Sequence, residues 1–281
     1  MTHPADPLDQ TPLAAHILDL AGHFTRRQDD LSHVPLYTTL LARLGPHLYQ
    51  QLARTTELGE HARRVRDVVE AHHAGRLAYD MNAASRITQL AFLAMNAGDL
   101  LVSALDTLEA AHPVGRDEEE ALLRQVAAPV NSCRELLRHA AGDAVDAAAA
   151  FARSATRCRR FTDAPEHDHA AVSIRLTDPQ LAALTAVARG LVTIDKDATQ
   201  VFSGPPRLSI STLRSLHSRD ATEHLPFARS SGAQRVTLSP KGRLVLAATF
   251  GRPPGPVLST RSAATATNSS VRTGTRAPGA R

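Results

Sequence analysis

The chain has 281 residues, 43% of them hydrophobic and only 4% aromatic, with no Trp. That suffices for a sizeable core in one large domain or two ordinary ones, excludes a wholly disordered chain, and leaves Ala, Leu and Val to build the interior. The net charge of +4 hides a split: residues 172–281 hold 15 Arg and Lys against 5 Asp and Glu, while residues 1–171 hold 17 against 23, so only the back half suits a polyanionic partner.

Residues 1–10 read as a flexible leader. A helix is expected from Pro12 to Arg27, with Thr11 as N-cap and Leu13, Ile17, Leu20 and Phe24 on one face. A second is expected over about Pro35 to Arg54, open to a break at Gly45-Pro46. A third, near Glu57 to His73, places Leu58, Ala62, Val65, Val69 and His72 on one stripe. Its other face carries Glu60/Arg64, Arg63/Asp67 and Arg66/Glu70 at i,i+4, the mark of a solvated surface rather than a catalytic array.

The strongest helical pattern spans Ala83 to Ala111. Ile87, Leu90, Ala94, Leu101, Leu105 and Leu108 recur near every 3.5 residues, a seam for close packing within one chain or between two. Asp117-Glu-Glu-Glu120 opens the next helix, which runs to Arg138 with Pro129 as a kink or break. An Ala-rich helix, Asp143 to Arg160, completes a helical bundle over residues 11–160, a candidate dimerisation domain. Residues 161–171 lack periodicity and read as a linker. Residues 251–281 are Pro, Gly, Ser, Thr and Ala with Arg, and read as a disordered basic tail.

Residues 172–250 form the expected second domain. Leu176 to Gly190 is one helix, with Asp178 as cap, Pro179 at the first position and Gly190 as stop. Leu191 to Ile194 and Thr199 to Phe202 read as a small hairpin. A short helix follows, capped by Ser209 or Ser211, with Ile210, Leu213 and Leu216 inward. Ser211, Thr212, Arg214, Ser215 and His217 then face outward, with Arg219 just beyond, a set of hydroxyls and guanidiniums suited to base edges and phosphates. Ala221 to Phe227 and Gln234 to Leu238 read as two strands with Arg229 to Gly232 at their tip. Arg235 stands outward on the second, where it can meet phosphate or pair with Glu223 across the hairpin. The stretch RVTLSPKGR then passes from strand to helix, with Ser239 as N-cap, Pro240 at the first position, and Lys241 and Arg243 exposed.

Residues 176–248 resemble a winged-helix domain of the kind found in bacterial MarR-like regulators. The resemblance lies in the opening helix LTDPQLAAL, the candidate recognition helix SISTLRSL and the wing-to-helix return RVTLSPKGR. It covers about a quarter of the chain. It departs from that pattern between Gly190 and Arg207, where a hairpin stands in place of a short helix. The resemblance implies contact with duplex DNA through Ser209, Ser211, Thr212, Arg214, Ser215, His217, Arg219, Arg229, Arg235, Lys241 and Arg243, with a homodimer as the usual form on paired half-sites.

The expected fold class is therefore mostly α, a helical bundle plus a winged-helix α+β domain, and the expected role is transcriptional regulation. The alternative is a scaffold whose winged domain binds another protein. No cofactor or metal site is expected, because His167-Asp-His169 and His72-His73 offer too few converging ligands. Cys133 and Cys158 lack metal-type spacing, no phosphate loop or nucleophile motif occurs, and no enzyme is expected. The acids Asp29-Asp30 are assigned to a helix end or loop, where solvation explains them. No signal peptide is expected, and the Leu90–Leu105 run is broken by Asn96 and Asp99, so a cytoplasmic location is expected.

Overall fold

The computed structural model describes residues 11–36, 41–73, 81–111, 115–161, 175–195, 201–203, 207–226 and 233–252. The expected leader, the linker apart from Phe161 (which ends a helix), the strand tip with Arg229, and all but the first two residues of the tail lie outside these. The fold is mostly helical with a small antiparallel sheet. Five helices come first: α1 (Thr11–Ser32), α2 (Leu41–His73), α3 (Met81–Ala110), α4 (Arg116–Leu137) and α5 (Ala140–Phe161). The rest of the chain adds α6 (Asp178–Ala188), β1 (Val192–Ile194), β2 (Val201–Ser203), α7 (Ile210–His217), β3 (Thr222–Pro226), β4 (Gln234–Leu238) and α8 (Pro240–Gly251).

Several helices differ from the sequence expectation. The two helices expected over 35–54 and 57–73 are one helix, α2, which runs through Pro46 and through Thr55-Thr56. The threonines lie within it, their hydroxyls donating to the carbonyls one turn back, Gln51 at 2.8 Å and Leu52 at 3.1 Å. Pro129 likewise lies inside a continuous α4. Helix α1 runs five residues past Arg27, and its end is closed by Arg134 of α4, which donates to the carbonyls of Leu31 and Val34.

Helix α3 packs against α2, α4 and α5. Its seam residues Ile87, Leu90, Ala94, Leu101 and Leu105 are buried, and Leu108 packs against the same core, so the seam is filled within the chain. By length and composition α3 is also apolar enough to cross a membrane. Its outward side mixes Phe92, Met95 and Val102 with Asn96, Asp99 and Asp106.

The sheet order is β2-β1-β4-β3. The β1–β2 hairpin pairs Thr193 with Phe202, β1 pairs with β4 at Thr193–Arg235, and β3 pairs with β4 from Thr222–Leu238 to Pro226–Gln234. Helix α6 starts at a capping box of Thr177 and Gln180, one residue before the expected cap Asp178. It ends at Gly190, whose φ of +69° closes a reversed turn with Leu191 N–H on the Ala186 carbonyl at 3.0 Å. Asp220 takes the corresponding left-handed position after α7, with φ +58°.

The 172–250 segment does not stand apart from the bundle. Helix α8 packs on α1 and α5, and its Val245, Leu246 and Ala247 join one buried cluster with Leu18, Phe24 and Phe151. The small residues of α5 permit this close approach. At the strand-to-helix return, Ser239 Oγ accepts from Gly242 N–H at 2.9 Å, as the cap reading expects. Gly242 sits against the chain at Ala221: a Cβ there would lie 1.9 Å from the Ala221 carbonyl oxygen. Gly242→Ala is therefore expected to lower unfolding free energy by about 3 kcal/mol in urea titrations, through forced movement of backbone. Gly98→Ala in α3, where nothing lies within 4 Å, is expected to cause no loss.

Candidate functional site

The outward face of α7 begins at its cap. Ser209 Oγ accepts from Ser211 N–H at 3.2 Å and lies 2.6 Å from the Ser211 hydroxyl. Leu213 and Leu216 are buried beneath, which fixes which side of the helix looks out. Ser209, Ser211, Arg214, His217 and Arg219 are exposed, and Thr212 is half-buried. Ser215 is turned inward, where its hydroxyl accepts from Gln180 Nε2 at 3.2 Å and ties α7 to α6. Lys241 reaches the turn after α7, with Nζ 3.4 Å from Asp220 Oδ2, both exposed. Arg229 lies outside the described residues.

The remaining two candidates point elsewhere. Arg235 is opposite Leu225 in the hairpin, and Glu223 faces Thr237, so the two are diagonal rather than direct cross-strand neighbours. Instead the Arg235 guanidinium grips Asp29 of α1, with Nε on Oδ2 at 2.9 Å and Nη2 on Oδ1 at 2.6 Å. Its Nη1 also donates to the Gly190 carbonyl at 2.7 Å. Arg243 Nη1 lies 3.0 Å from Asp19 Oδ1, again on α1. Both arginines are largely covered, at 13% and 25% side-chain exposure, so they hold α1 rather than face solvent. Asp29 and Asp30 are thus not merely solvated. Asp30 pairs with Arg27 and Arg54 at 3.0 Å each. Arg27 is itself buried, also donates to Gln51, and burial pulls its pKa down to about 10.

Two histidine pairs flank these contacts. On α7 and β3, His217 and His224 stack with ring centroids 4.4 Å apart, and His217 Nδ1 lies 3.0 Å from the Thr222 carbonyl. Burial, then repulsion from His217, lowers the His224 pKa from 6.5. At the bundle, His23 of α1 and His61 of α2 lie 4.7 Å apart with Asp19 between them. The Asp19 carboxyl is held down to about 2 by its bond to His23, with Arg243 adding to this and burial opposing it.

Sequence reasoning missed Asp29 as a partner of the basic segment, and missed the joining of Asp19, His23 and His61. The i,i+4 spacing of Asp19 and His23 was visible. Their third member lies on another helix, which spacing cannot reveal. Cys133 is buried, and burial pushes its thiol up to about 12, so it is an unreactive core group.

Comparison of the chain with protein-family models, curated proteins and solved structures finds no match.

The depressed His224 pKa has a defined consequence for stability. The unfolded chain binds the proton near 6.5 and the folded chain binds it only at lower pH. The contribution is therefore complete above 6.5 and is lost as pH falls through the lower folded value. Thermal melts between pH 7.5 and 5 should show a falling midpoint. His224→Phe keeps a ring against His217 and should flatten part of that slope.

Proposed function

We propose that the chain binds duplex DNA through a winged-helix-like head, with α7 as the element that enters the groove, and acts as a transcriptional regulator. The observation that carries this reading is the face of α7. A short capped helix presents Ser211 and Arg214 outward, with Arg219 and Lys241 beside it, in the half of the chain that is strongly basic. Small hydroxyls let the helix approach base edges, and the cations meet phosphates on either side. The β3–β4 hairpin follows α7 directly and returns into α8, the order that the winged-helix resemblance implies.

Not every candidate residue shares this role. Ser209, Ser211, Thr212, Arg214, His217, Arg219 and Lys241 form the proposed contact set, to which the sequence adds Arg229. Ser215, Arg235 and Arg243 position it. Their hydrogen bonds and ion pairs fix α7, β4 and α8 against α6 and α1.

The second reading is a protein-contact module. It is favoured by the outward side of α3, where Phe92 is 57% exposed and Met95 and Val102 lie along the same helix. A homodimer through that side is compatible with either reading.

A salt series of binding to mixed genomic duplex fragments separates the two. For the full chain, log affinity should fall linearly with log salt, and one fragment class should be enriched. Arg214→Ala/Arg219→Ala should weaken binding to all fragments alike and reduce the slope by about 2, one phosphate contact for each arginine. Binding that is blind to sequence and unchanged in the double variant would favour the protein-contact reading.

A further inference from the structure

Asp19 and His23 lie one helical turn apart on α1, so both side chains project from the same face. Helix α2 crosses that face at His61. The three side chains bring one ligand atom each to a common point, all within 4.8 Å of one another. Asp19 Oδ2 is 3.5 Å from His23 Nε2 and 3.9 Å from His61 Nε2. Tetrahedral zinc with bonds near 2.0–2.1 Å sets its ligand atoms about 3.3 Å apart. Two of the three separations are therefore within about 0.6 Å of what such an ion requires, and the third is no more than 4.8 Å.

A second observation points the same way. His61 Nε2 is buried and makes no hydrogen bond. A buried polar atom left without a hydrogen bond is destabilising, and a cluster that served only to join α1 to α2 would have no reason to leave it unmet. A metal ion bonded to that lone pair removes the cost.

The other oxygen of Asp19 is already held. Arg243 Nη1 lies 3.0 Å from Oδ1, which leaves Oδ2 directed at the histidines. An outer partner of this kind orients a ligating carboxylate without occupying the metal-facing atom. His23, with its side chain 41% exposed, gives the site a path to solvent.

We propose that Asp19, His23 and His61 form a binding site for a divalent transition metal of the zinc class, with water as the fourth ligand. Two imidazoles and one carboxylate suit zinc over calcium or magnesium, which prefer all-oxygen shells. The ion would clamp α1 to α2 and, through Asp19 and Arg243, the start of α8.

The test uses the full chain stripped with chelator, then equilibrium dialysis against zinc and, separately, the visible spectrum after cobalt(II) addition. One zinc per chain is expected, with the intense visible absorption of four-coordinate cobalt. His23→Gln and His61→Gln should each weaken zinc binding by at least about tenfold and reduce the cobalt bands. His167→Ala/His169→Ala should leave both unchanged. Far-ultraviolet circular dichroism checks that the variants are folded; if His61→Gln is not, the exposed His23→Gln decides. Absence of stoichiometric zinc, binding unaltered by His23→Gln, or binding lost in the His167/His169 variant would each overturn the proposal.

Discussion

The structure depends on the grip of Arg235 on Asp29. A guanidinium on a sheet strand donates to a carboxylate on the first helix through two hydrogen bonds of 2.9 and 2.6 Å, and donates a third to the Gly190 carbonyl just after α6. One side chain thereby fixes β4, α6 and α1 relative to one another. Its planar, forked geometry is what makes this feasible; a lysine could not satisfy both carboxylate oxygens and the carbonyl in the same way. The pair is mostly covered, so water screens it less than the Lys241–Asp220 contact on the surface.

That constraint reorganises the meaning of the charge split. The acidic front half and basic back half do not simply repel and attract an external polyanion. Part of each is spent on the other, Asp29 with Arg235, Asp19 with Arg243 and Asp146 with Arg189. The exposed side of α7 and the turn after it carry Arg214 and Arg219, with Lys241 beside Asp220. The same contacts explain why α8 lies in the core beside α1 and α5 although the sequence marks it as the end of a separate domain. Gly190 belongs to this arrangement too: a Cβ there would come within 2.5 Å of the Thr25 side chain on α1.

Local chemistry was legible in the sequence where the signal is local. Ser239-Pro240 does start a helix, Ser209 does cap α7, and the segments around Val192 and Val201 do pair as a hairpin. The buried stripe Leu13, Ile17, Leu20 and Phe24 followed from a 3.6-residue period. Errors arose where a local rule lost to its surroundings. The break expected between Arg54 and Glu57 does not occur, and Thr55, with its hydroxyl bonded within the helix, is fully buried. The long-range pairs were illegible for another reason. Asp29 and Arg235 are 206 positions apart, and nothing in either neighbourhood names the other. The Asp19, His23 and His61 cluster is hidden in the same way, since its geometry exists only once α1 and α2 cross.

The account stands most directly on a double-mutant cycle across the grip. Unfolding of the full chain would be measured for the parent, Asp29→Ala, Arg235→Ala and the double variant. A coupling of about 2 kcal/mol, with each single change destabilising, is the predicted result for a largely covered, bidentate pair. Losses that add to within about 0.5 kcal/mol would contradict it, and would mean that the head is held to the bundle by the apolar packing of α8 without this interaction.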